Sequence, residues 1–149
     1  MLRPRSVRID LQSDEVTVGY DVHITRREHW HGRGEPSISL EERSALVASD
    51  PEMRLDGFAE APVDGGVLRV ESPGLSVWTA WSGHEKDGNM AWFDWRSGEV
   101  VVKNPDAEIL RKMHALARLL AAHVQGDDGE IYAADGNPLS NAKPWWRIW

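Results

Sequence analysis

Val7, Ile9 and Leu11 alternate with polar residues, and so do Val16, Val18, Tyr20, Val22 and Ile24, with Gln12-Ser13-Asp14-Glu15 between the two runs. Alternation of period two gives one buried and one wet face, so the spacing predicts an N-terminal hairpin. From Arg26 to Pro36 the pattern lapses into a charged, glycine-containing loop around His29-Trp30-His31. Ser39-Leu40-Glu41-Glu42 has the form of a capping box, in which the Ser39 hydroxyl accepts from the third helical amide while Glu42 reaches back to the Ser39 amide. A short helix is predicted from about Leu40 to Ala48. Asp50-Pro51 stops it, because the residue before proline avoids the right-handed helical region. Met53 to Val63 reads as irregular or short-stranded, with a turn at Asp64-Gly65-Gly66.

Strands are predicted at Val67–Glu71, Leu75–Ser82, Met90–Trp95 and Glu99–Lys103, with a loop over Gly83–Gly88 and a tight turn at Arg96-Ser97-Gly98. Short connections imply antiparallel pairing. A longer helix follows, with Asn104 as its N-cap, Pro105 at its first position, and Asp106 and Glu108 complementing its positive end. Ile109, Leu110, Met113, Leu116, Ala117, Leu120 and Ala121 form its apolar stripe, and Glu108 and Lys112 make an i,i+4 pair on its surface. It is predicted to end near Ala122 and to feed a short strand, His123–Gln125. After Gly126-Asp127-Asp128-Gly129, residues Glu130–Ala133 are the predicted antiparallel partner. The fold class is α+β: an antiparallel sheet of about five to seven strands packed against one long helix in the C-terminal half, plus one short helix.

A symmetric hairpin over Gly83–Gly88 sets Trp78 opposite Phe93 and Trp81 opposite Met90. A turn centred on Ser97 sets Trp95 opposite Val100 and Phe93 opposite Val102. One face then carries Trp78, Ala80, Ala91, Phe93, Trp95, Val100 and Val102, an uncharged bed for the long helix. The reverse face carries Val77, Thr79, Trp81, Met90, Trp92, Asp94, Val101 and Lys103. Either the N-terminal hairpin, the short helix or the C-terminal tail covers this mixed face, or it is partly open to a partner or ligand. A one-residue slip in register exchanges the two faces.

Composition narrows the function classes. A chain of 149 residues with 41% apolar content supports one domain, 1–149, with its own core. Cysteine is absent, which excludes disulfides, thiolate catalysis and thiolate metal sites and fits a reducing cytoplasm. No apolar run is long enough for a membrane span or a secretory leader. The net charge of −7 argues against nucleic-acid binding, which needs a basic footprint. Eight tryptophans imply a heavily aromatic core or interface anchors. The tail Lys143–Trp149 is expected to fold onto the body, indoles inward and Lys143 and Arg147 wet.

Candidate chemistry is sparse. Asp127, Asp128 and Glu130 fall within one turn, but they miss the alternating ligand spacing of a calcium loop. Asp-Asp-Gly is also ordinary turn chemistry. His29 and His31 are spaced like two zinc ligands, yet the third and fourth are not evident; His23, His84, His114 and His123 complete the histidines. Neither a metal nor a cofactor is expected. No G-x-S-x-G elbow, phosphate loop, H-E-x-x-H or dinucleotide fingerprint occurs, which removes the common enzymes but not every enzyme.

Two stretches are distinctive together: Ser39-Leu40-Glu41-Glu42 leading to Ala48-Ser49-Asp50-Pro51-Glu52-Met53-Arg54-Leu55, and Trp92-Phe93-Asp94-Trp95, Gly98, Val102-Lys103-Asn104-Pro105-Asp106, Lys112-Met113 and Val124-Gln125-Gly126-Asp127-Asp128-Gly129-Glu130-Ile131-Tyr132. Over about half the chain this resembles a class of small bacterial proteins, some of which look like immunity partners of delivered toxins. The resemblance brings no catalytic residues. It implies a cytoplasmic, non-enzymatic protein that occludes a basic toxin domain, without nucleic acid or membrane as partner. Trp81 and Trp92 are then the expected anchors, with Asp94, Asp127, Asp128 and Glu130 steering the partner. The alternative is an enzyme or ligand-binding domain that uses the Trp81/Trp92 face as its pocket, with Asp94 or a loop histidine as acid–base group.

Overall fold

Eight strands and two helices form across residues 20–139, the part of the chain that the computed structural model describes. The predicted N-terminal hairpin as far as Val18 and the Lys143–Trp149 tail lie outside the described residues. Strands β1 (Asp21–Thr25), β2 (Met53–Leu55), β5 (Leu75–Trp78), β6 (Trp92–Arg96), β7 (Glu99–Lys103) and β8 (His123–Gly126) make one antiparallel sheet in the order β2-β5-β6-β7-β1-β8. Strands β3 (Phe58–Val63) and β4 (Gly66–Glu71) make a separate two-stranded ribbon, here called the arm. Helix α1 spans Leu40–Ser49 and α2 spans Ala107–Leu119. Among the described residues, no helix is long and apolar enough to cross a membrane.

The uncharged face of the sheet takes α2, as its pattern requires. Phe93, Val100, Val102, Val22, Ile24 and Val124 pack with Ile109, Met113 and Leu116 in one continuous core. The β6–β7 turn explains why that register is firm. Ser97 and Gly98 have φ of 55° and 83°, the paired positive values of a two-residue hairpin turn, and Trp95 lies opposite Val100. A Cβ on Gly98 would also sit 2.7 Å from both Arg27 Nη2 and Ser37 Cβ.

The hairpin before it differs from the symmetric expectation. Ser76 faces Phe93 and Val77 faces Trp92, so the register is displaced by two residues. An even displacement leaves each side chain on its face. Thr79 continues the pairing with β2 alone, its amide and hydroxyl both donating to the Glu52 carbonyl (2.8 and 2.9 Å), and the chain turns away from β6 at Thr79-Ala80. Strand β5 therefore ends at Trp78, and Trp81 belongs to the connection instead of the sheet.

Helix α2 begins later than predicted. Asn104 takes a left-handed turn (φ 53°) and its side chain accepts from the Tyr20 amide at 3.0 Å, while Asp106 caps the helix by accepting from the Ile109 amide at 2.8 Å. Asparagine tolerates positive φ, so it reverses the chain, and Pro105 lies before the cap. The Glu108–Lys112 pair does not form. Glu108 instead accepts from the Ser82 amide and hydroxyl (3.1 and 2.6 Å), and Lys112 donates to Asp50 and Glu52 (2.8 and 3.2 Å). Strand β8 pairs along its length with β1, and the predicted partner at 130–133 contributes only a bridge between Gln125 and Ile131. The α1 capping box forms as expected, with Ser39 and Glu42 bonded reciprocally at 3.0 and 2.9 Å.

Candidate functional site

The reverse face of the sheet divides into a closed half and an open half. His23 lies on β1 between Val101 of β7 and Gln125 of β8, and is 3% exposed. Its Nδ1 is 3.3 Å from Glu99 and its Nε2 is 3.0 Å from Asp127. The Trp30 indole stacks on the ring at 4.1 Å and 7°, and donates from Nε1 to the Asp127 carbonyl at 3.2 Å. Burial by itself pushes this imidazole down, but the hydrogen bonds to Glu99 and Asp127 outweigh it and hold the pKa above the ordinary 6.5. A carboxylate at each ring nitrogen favours the protonated imidazole, which can donate to both.

The acidic turn is consumed by the same construction. Asp127 also accepts from the Asp21 amide at 2.9 Å. Glu130 takes the hydroxyls of Tyr20 and Tyr132, and burial followed by these bonds pushes both phenols upward. A Cβ on Gly126 would collide with the Glu130 carboxylate and push it off the two tyrosine hydroxyls. Asp128 alone of the three turn carboxylates is exposed at the surface. A general base needs a nitrogen free for its substrate. His23 has neither free, and it works as a bolt joining β1, β7 and the turn.

The open half lies at the other end of the face. A cavity of about 490 Å³ runs between the arm and the loop before β6. Phe58, Met90 and Trp92 supply apolar walls, and Asp56, Glu60 and Glu85 supply acid. Ala59 roots the arm by packing with Leu75, Val77 and Trp92. Beyond that root the ribbon is wet: Val63, Val67 and Val70 are 44%, 63% and 42% exposed. Arg69 of β4 places its guanidinium 3.8 Å over the Phe58 ring and donates to Glu60 at 3.1 Å and Glu71 at 2.9 Å.

The predicted site residues are dispersed across this arrangement. Trp92 and Asp94 share β6 on the reverse face, where Asp94 accepts from Ser72 at 2.7 Å beside the root of the arm. Trp92 is 5% exposed beneath Ala59. Trp81 is on the other layer: it packs against the α2 core and donates to Asp106 at 3.0 Å. The shared Trp81/Trp92 face does not form, because β5 ends at Trp78 and the chain turns at Thr79-Ala80 before it reaches Trp81. Asp127, Asp128 and Glu130 lie beyond β7 and β1, roughly 14 Å across the strands from β6. Among the described residues, the arm and the Trp30 loop cover the reverse face. The short helix, one of the expected covers, packs in the α2 core instead through Val47. The other two, the N-terminal hairpin as far as Val18 and the C-terminal tail, lie outside the described residues.

His29 and His31 are exposed with their rings stacked at 5.1 Å. Among the described residues, no group of three or more histidines and carboxylates is placed to hold a metal ion. The chain matches no family model, no curated protein and no solved structure with which it was compared.

Proposed function

We propose that this chain is a non-enzymatic binding protein that occludes a basic protein partner, most concretely a bacterial immunity protein covering a toxin domain. One observation carries the binding reading: an apolar-walled, carboxylate-rimmed cavity lies beside an arm whose valines face water. Exposed apolar side chains beside acid suit a basic surface better than an acidic one, since desolvated like charges cost affinity. The commitment of both His23 nitrogens to carboxylates supports a structural role for that histidine. A second reading, a small-ligand domain, draws on the cavity volume, which falls in the range of small-molecule sites.

Genetic context supplies the test. The reading frames adjacent to this one are expressed alone and together with this chain. The expected result is growth arrest by one neighbour, relief on co-expression and a complex that co-elutes. Arrest without relief, or no arrest from any neighbour, would overturn the immunity assignment.

A further inference from the structure

We infer that the cavity beneath the arm receives one side-chain cation, the end of a lysine or arginine, with Arg69 as the placeholder at its edge. This deepens the binding reading and rests on it. Three carboxylates line the space while its walls are Phe58, Met90 and Trp92. Aromatic faces and carboxylates attract the same kind of group, an organic cation on an apolar stem. Asp56 and Glu60 already pair with arginines of the chain, a neutral apolar group would leave Glu85 without such a cation, and an anion would be repelled by the acid.

The chain itself demonstrates the recognition. Arg69 lies over Phe58 and pairs with Glu60, and both of those residues line the cavity. Its side chain is 47% exposed, so it occupies the edge of the site without filling it. Asp56 is held by Arg54 at 2.7 Å, which leaves Glu60 and Glu85 as the carboxylates best placed to answer an incoming charge. An arriving cation would displace Arg69 from Glu60 or share that carboxylate with it. Trp92 adds a reporter: its indole N–H is buried and has no acceptor among the described residues.

The test uses the full chain with N-acetyl-lysine amide and N-acetyl-arginine amide, and with N-acetyl-norleucine amide as the neutral match. The Trp92 indole N–H resonance, assigned through Trp92→Phe, is followed during titration. Saturable movement is expected with the cationic probes, at millimolar affinity as befits one side chain. Glu85→Gln and Glu60→Gln should each weaken this by roughly fivefold, and Arg69→Ala should strengthen it by removing the competitor. Glu28→Gln, an exposed charge on the Trp30 loop, controls for net charge and should change nothing. Equal response to the norleucine probe, or affinity indifferent to Glu60 and Glu85, would overturn the inference. Thermal melts confirm that each variant is folded; because Glu60 and Glu85 are exposed, either one alone suffices. Rescue by co-expression together with failure of these probes would sink the cation site and leave the binding function standing.

Discussion

His23 sets how stability responds to pH. Its folded-state pKa lies above the ordinary 6.5, so the folded protein holds this proton more tightly than the unfolded chain does. That stabilisation is complete below pH 6.5 and is lost as pH rises through the folded-state value. The urea midpoint is expected to fall from pH 6.5 upward, and His23→Gln should flatten the decline; equal slopes in the two proteins would remove His23 as the cause. His23→Ala leaves Glu99 and Asp127 without the imidazole between them and should cost about 3 kcal/mol in urea unfolding. Arg43 makes the opposite case. It is 1% exposed, donates to Ser76 at 2.6 Å, and its Nε and Nη1 lack partners among the described residues. Burial lowers its pKa to about 10. A buried cation so poorly answered does little for stability, so Arg43→Met is expected to hold or raise the urea midpoint. A fall of more than about 1 kcal/mol would show that the guanidinium is better satisfied than its contacts indicate.

Individual elements were legible where local chemistry decides them. The α1 capping box, the Ser97-Gly98 turn and the apolar stripe of α2 each follow from adjacent residues, and each formed. The face of the sheet that takes α2 was also legible, because the register displacement was even. The helix start was not, because both Asn104 and Asp106 suit an N-cap and only the Tyr20 amide, far away in sequence, decides between them. Asp106 therefore has two roles, capping α2 and accepting from the Trp81 indole. Asp106→Ala should destabilise by about 1 kcal/mol or more and alter the Trp81 indole resonance; urea unfolding and the spectrum of the variant check both. The arm is a different kind of element. Val67→Lys, at a position 63% exposed, is expected to leave stability within about 0.5 kcal/mol while weakening capture of a basic partner. Unchanged affinity in that variant would take the arm out of the interface.

Across the whole molecule, what escaped the sequence is long-range pairing. His23 occupies a polar position in an alternating run, which local pattern reads as solvent-facing. Only the insertion of β1 between β7 and β8 brings Glu99 and Asp127 to it. The cavity likewise needs the arm to fold over β6, and the run from Met53 to Val63 carries no sign of that. The expected sites mixed the two ends of one face, and with them Trp81 from the opposite layer. The net charge of −7 adds a property of the whole surface. Association with a basic partner should slow as ionic strength rises, because salt screens the steering field between exposed charges. Stopped-flow association at increasing salt checks it, and a salt-independent rate would argue for a neutral partner.

The place of β1 between two strands made much later also governs when this protein can become itself during synthesis. The first strand of the described region leaves the ribosome before either of the strands it pairs with, β7 and β8, has been made. The Tyr20–Asn104 contact just before it spans 84 residues and the His23–Asp127 contact spans 104. Until β7 and β8 are made, the nascent chain carries Val22 and Ile24 on a strand whose two final partners are both missing. Unpaired strand edges recruit chaperones or neighbouring chains. Refolding of the full chain should accordingly be slow for its size, since distant closures must precede the gain from packing.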